Sequence, residues 1–202
     1  MKITAIRVAL GAAVLSAALT GCAGVSADVQ ASNRGGEWQG ARTYALARTP
    51  SQDASADHTH YEATVRAELG KYGFADTSAQ DAHYLLSIAY DTRLVTIGVK
   101  AGDCTGGDCS GSTQATFPWF GGRSYQHALT LRFFDKADGQ ELYKVSATSD
   151  DHDAEPLHAI PYLVKSALAQ FPFDGHPDWR VKLRADEAGG EPRVVSVKPL
   201  QP

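Results

Sequence analysis

The chain has 202 residues, with 19 Lys and Arg against 23 Asp and Glu, 43% hydrophobic and 21% charged. That hydrophobic content at a formal net charge of −4 excludes a disordered chain, 19 glycines exclude collagen, and three cysteines are too few for a disulfide scaffold. The acidic balance removes any electrostatic reason to expect nucleic acid as a partner, because phosphate binding needs a basic surface.

The N-terminus reads as an address. Lys2 and Arg7 form a basic start, and Val8 to Thr20 is small or aliphatic apart from single hydroxyls. This is the pattern of a signal peptide over residues 1–21. As a helix the apolar run would reach only about 20 Å, short of a hydrocarbon core of about 30 Å. Leu19-Thr20-Gly21-Cys22 resembles the lipobox of bacterial lipoproteins, an aliphatic residue and two small ones before a cysteine. The Cys22 thiol would accept a diacylglyceryl group, and the amine freed by cleavage would take a further chain such as palmitate. Several acyl chains anchor stably where one is marginal. Ala23, not aspartate, follows the cysteine, which favours the outer membrane. Cleavage would remove two of the basic residues and none of the acidic ones, leaving a body with little attraction to anionic headgroups.

Residues 22–40 are small, polar and Gly-rich and read as a lipidated flexible tether. The α+β domain then spans 41–175. Arg42 to Ala47 is a short strand ended by Pro50. In the helix that follows, Thr59 with Glu62 fits a capping box, and Tyr61, Val65, Leu69 and Tyr72 form one apolar stripe. Gly73 suits a left-handed cap, with Phe74 packing back on Leu69. His83 to Val99 and Ser124 to Asp135 are long strands; the second presents Tyr125, His127, Leu129, Leu131 and Phe133 on one face. An Asp-Gly turn leads into a returning strand, Glu141 to Ser149. The last helix runs near His158 to Phe171, with Pro161 confined to its first turn. Residues 176–202 read as a C-terminal tail or small hairpin. The order β-α-β-β-β-α predicts an α+β two-layer sandwich, a mostly antiparallel sheet with two helices on one face.

A lipobox, the strand RTYA, a helix closing in Gly-Phe, the strand YLLSIAYDTR and a final helix ending in FP together resemble the domain-of-unknown-function 4136 family of Gram-negative envelope lipoproteins and exported proteins. The resemblance covers roughly residues 40–173. It implies an α+β fold and an envelope location, and it carries over no catalytic residue.

Three groups of residues are candidates for function. Cys104 and Cys109 lie in a Gly-rich link between the long strands, where an oxidising envelope favours a disulfide over metal or redox chemistry. Phe117, Trp119 and Phe120 follow in the same link, a candidate interaction loop that would either dock a partner or membrane surface or fold back over the sheet. Asp57, His58 and His60 precede one helix, and Asp150, Asp151, His152, Asp153 and His158 the other. Such spacings can chelate a metal, but acidic and polar residues at helix N-termini are expected from capping alone, so no metal and no cofactor is assigned. No G-x-S-x-G, phosphate loop, H-E-x-x-H or C-x-x-C occurs. The expectation is therefore a non-enzymatic, outer-membrane-anchored periplasmic lipoprotein, attached through lipid on Cys22 and acting on an envelope protein partner. The alternatives are a lipid- or small-ligand-binding accessory of a transport system and, third, a periplasmic hydrolase.

Overall fold

The computed structural model describes residues 24–34, 38, 40–95, 123–185 and 190–200. Cys22, Cys104, Cys109, Phe117, Trp119 and Phe120 lie outside the described residues. The described elements, in chain order, are β1 (Gly24–Asn33), β2 (Thr43–Leu46), α1 (Pro50–Asp53), α2 (Ala56–Gly70), β3 (Ala75–Asp76), β4 (Tyr84–Val95), β5 (Ser124–Asp135), β6 (Glu141–Asp151), α3 (Pro156–Ala167), β7 (Asp178–Arg184) and β8 (Arg193–Pro199). One sheet takes the order β3-β2-β4-β5-β6-β1-β7-β8. Among the described strands only the pairs of β2 with β3 and with β4 are parallel. The two longer helices, α2 and α3, share one core with a single face of the sheet, as the α+β sandwich requires.

Alternation builds that core. Tyr84, Leu86 and Ile88 of β4, Leu129, Leu131 and Phe133 of β5, and Tyr143, Val145 and Ala147 of β6 are all buried. Val65 and Leu69 of α2 and Ile160, Leu163 and Val164 of α3 close over them. Gly139 turns the β5–β6 hairpin at φ +71°. Gly73 takes φ +78°, and the Phe74 N–H donates to the Leu69 carbonyl at 3.2 Å, the C-terminal cap expected there.

Four expectations are corrected. The supposed tether contains β1, which fills the gap between β6 and β7. Val25, Ala27, Val29 and Ala31 alternate inward, but the residues are too small to give a strong apolar signal. Trp38, from the same stretch, packs edge-on against Phe74, Tyr84 and Phe133 with ring centroids 5.1–5.2 Å apart. The C-terminal segment is a hairpin, yet not an appendage: Trp179, Val181 and Leu183 of β7 are buried and β7 pairs with β1. The Thr59–Glu62 capping box does not form. Ser55 caps α2 by accepting from His58 N–H at 3.2 Å, and the reciprocal box is made by Thr49 and Gln52 at α1. Finally, α3 starts at Pro156, whose fixed φ suits a first position, so Pro161 lies inside the helix. The Leu157 carbonyl that a residue with an N–H at 161 would bond belongs to an exposed residue, which makes the loss tolerable.

Candidate functional site

The inward rows across β4, β5 and β6 change character along the sheet. They run Leu86–Phe133–Tyr143, Ile88–Leu131–Val145, Tyr90–Leu129–Ala147 and then Thr92–His127–Ser149. The last row is polar throughout, although its strands continue the same alternation. His127 is fully buried there, an imidazole at a position where the pattern calls for an aliphatic side chain.

Every nitrogen of that ring is engaged. Nδ1 lies 2.7 Å from the Tyr90 hydroxyl and 3.0 Å from Thr92 Oγ1. Nε2 lies 2.9 Å from the Asp153 carbonyl and 3.2 Å from Asp151 Oδ1. Both partners of Nε2 are acceptors, so Nε2 carries the proton and donates. Nδ1 then accepts from Tyr90, whose oxygen accepts from Thr92 Oγ1 at 3.0 Å. Burial pushes the Tyr90 phenol up to about 12, keeping it a donor.

Asp151 joins this row to α3. Its Oδ2 accepts from His158 Nε2 at 2.7 Å, and its Oδ1 accepts from the Asp153 N–H at 2.8 Å. The two imidazole rings stand perpendicular, with centroids 5.2 Å apart. Burial opposes ionisation of Asp151, but the hydrogen bonds from His158 and the Asp153 N–H outweigh it and hold the carboxyl below its ordinary range. Burial likewise opposes charge on His158, and the Asp151 hydrogen bond and charge outweigh it and raise the imidazole.

A second polar cluster sits beside the first. Glu62 of α2, buried, receives both arms of the Arg48 guanidinium, Nη2 at 2.8 Å from Oε2, and His58 Nε2 lies 3.3 Å from Oε1. A cavity of about 280 Å³ beside the clusters is lined by Gln52, Ser55 and His58 and by Tyr61 and Tyr90, whose rings pack with centroids 4.9 Å apart. Elsewhere, a groove of about 450 Å³ runs between α2 and α3 under residues 190–192. Glu68, Lys71, Lys165 and Glu191 lace it with ion pairs of 2.6–3.5 Å.

The two helix-start clusters of the sequence thus do different things. His58 turns inward to Glu62, while Asp57 and His60 stay exposed. Of the second cluster, Asp151 and His158 meet His127, with one ligating atom of each within 4.8 Å of the others; Asp150 and His152 are exposed. Among the described residues no joint metal-ligating group spans both clusters. Sequence reasoning missed His127 as a site residue. Its signal was a histidine among the aromatic and aliphatic residues of one strand face, which reads equally as a core residue.

Fold and site define a two-layer α+β protein with helices on one face of a long sheet and a histidine–carboxylate cluster at one end. A family model for a domain of unknown function, DUF4136, matches residues 25–173, and the chain belongs to that family. The match begins inside β1, which makes that strand part of the family's domain. No curated protein matches the chain. A PDZ domain protein from Parabacteroides distasonis ATCC 8503 is similar in structure, with 16% identity and a TM-score of 0.55 over 87% of this chain. The chain spans 42% of that protein's length, and at such identity the likeness is one of fold. Two structures of the PelC dodecamer from Paraburkholderia phytofirmans match at 15% and 17% identity, each with a TM-score of 0.42 over 71% of this chain and 95% of theirs.

Proposed function

We propose that this DUF4136 protein is a lipid-anchored protein of the outer membrane, facing the periplasm, that acts by contact with an envelope protein and not by catalysis. The observation that carries the reading is where β1 begins. Gly24 stands two residues after the lipobox cysteine, and a trans chain spans at most about 3.6 Å per residue. Acyl chains on Cys22 would therefore hold the body close to the bilayer, without a long spacer. Antiparallel pairing puts Gly24 at the sheet end where β4 finishes and β5 starts, Val95 opposite Ser124. Leu94, Val95 and, at the start of α3, Leu157 are exposed apolar side chains at this end. The segment with Phe117, Trp119 and Phe120 joins the chain there too.

The hydrogen-bond order supports the non-enzymatic part. Thr92, His127 and Asp151 follow the hydroxyl–imidazole–carboxylate sequence of a hydrolase relay, but the Thr92 proton is directed to Tyr90 and Tyr90 fills the acceptor nitrogen. The neighbouring cavity is lined by Tyr90 and by neither Thr92 nor His127. Intact-mass analysis of the native product tests the anchor: a triacylated chain beginning at Cys22 is expected, and Cys22→Ala should release the protein from the membrane fraction. An uncut precursor or a free thiol at Cys22 overturns it. Photo-cross-linking in cells from position 94 should capture a protein that position 136, at the opposite end, does not; equal capture from both overturns the contact reading.

A further inference from the structure

We propose that His127, Asp151 and His158 form a binding site for a zinc-class divalent cation, with the Asp153 carbonyl at its edge. The donors come from three parts of the chain, the inward face of β5, the end of β6 and the first turn of α3. Two Nε2 atoms converge on one carboxylate, each facing a different oxygen, at 3.2 and 2.7 Å. Ligand atoms about 2.0–2.2 Å from a tetrahedral zinc stand roughly 3.3 Å from one another; the three ligating atoms here lie within 4.8 Å of one another, so the side chains would draw together on binding. The two rings are perpendicular and edge-on, not stacked, with centroids 5.2 Å apart.

The surroundings match what a cation site needs. Ligating histidines are held by a partner on the other ring nitrogen, and His127 Nδ1 has two, Tyr90 and Thr92. On binding, His127 switches tautomer: solvent exchanges its Nε2 proton for one on Nδ1 with no net loss. Nδ1 becomes the donor to either hydroxyl, a reversal that Tyr and Thr oxygens accept equally well, while a charged His158 gives up its Nε2 proton to solvent. Below the site lie Leu129 and Ala147, an apolar floor that lowers the local dielectric. An Asx turn in the loop before α3 explains why Asp151 accepts the Asp153 N–H. It does not explain an imidazole buried in the sheet and aimed at the same carboxylate. Two imidazoles and one carboxylate suit zinc and its late first-row neighbours, whereas magnesium and calcium prefer all-oxygen sets.

The test uses the full chain, purified without a histidine tag, and cobalt(II) as a spectroscopic substitute followed by zinc in chelator competition. One equivalent of cobalt should bind with visible d–d absorption and no thiolate charge-transfer band, which excludes the cysteines. His158→Asn and Asp151→Asn, both at the rim, should each weaken zinc binding at least about tenfold while the circular dichroism of the metal-free protein is unchanged. Should His127→Asn fail to fold, those two variants still decide. Binding that survives both substitutions, a thiolate band, or no uptake below millimolar zinc overturns the proposal.

Discussion

The two ends of the sandwich use the same three strands and the same inward face, yet they are held together differently. At one end Phe133 and Tyr143 meet Trp38, Phe74 and Phe171, with centroids 5.1–6.4 Å apart and mostly tilted or edge-on rings. Ring packing of this kind is strong in sum and tolerant in detail. At the other end Tyr90, Thr92, His127 and Asp151 form a directed chain of hydrogen bonds in which every buried polar atom has a named partner. Such a network contributes little net stability and is costly when half broken. Packing of the first kind tolerates substitution as long as volume is kept. The second end fixes particular atoms in space, as a binding site requires.

The largest effect should come from breaking the aromatic end. Phe133 is fully buried, and Phe133→Ala should lower unfolding free energy by about 3–5 kcal/mol in urea titration. His127→Leu tests the polar end, with the fold's volume roughly kept. It leaves Tyr90 without its Nδ1 acceptor and Asp151 with one donor fewer, and should cost about 1–3 kcal/mol. If His127→Leu is instead neutral or stabilising, the network is not needed for folding and the contrast between the ends sharpens further toward function. A smaller loss belongs to Gly73, which lets Phe74 enter the aromatic cluster. A Cβ there meets nothing within 4 Å, so Gly73→Ala isolates the backbone cost of a left-handed residue, about 1 kcal/mol.

The aromatic end was largely legible in the sequence, and the reason is physical. Leu69, Gly73-Phe74 and the 127–133 alternation are local patterns, carried by bulky residues at fixed spacing. Trp38 and β1 were not, because Val25, Ala27, Val29 and Ala31 hide a period of two among small residues that also suit a linker. What makes Ala27 and Val29 buried is pairing with β6 and β7, more than a hundred residues away. The polar end shows the same limit from the other side. Asp151 and His158 stood out as a cluster near a helix start, where capping was a sufficient explanation. His127 looked like core. Only the register that brings Tyr125 opposite Asp151, and so His127 next to it, turns two ordinary readings into one site.

Acid pH probes the polar end through its second cluster, and the effect is the smallest of the series. Burial works to raise the Glu62 carboxyl, but the Arg48 hydrogen bond and charge, with His58 and Arg66, bring it below its ordinary value. A carboxyl lowered on folding stabilises the native state above its unfolded pKa, and that stabilisation drains away as pH falls through the folded value. In Arg48→Gln the hydrogen bond and charge are gone while the burial remains. The stability difference between native protein and variant should therefore be constant only where Glu62 is ionised in both proteins and shrink as falling pH protonates it, first in the variant, where burial is unopposed by Arg48. Arg48 is more than a third exposed, at 37%, so solvent screening keeps the plateau small and its pH dependence is the informative part. Denaturant titrations from pH 3 to pH 7 measure it. A difference that stays flat across the whole range would mean that Arg48 acts only by packing its stem, and that charge on Glu62 plays no part in holding α2 to the sheet end where the histidine cluster lies.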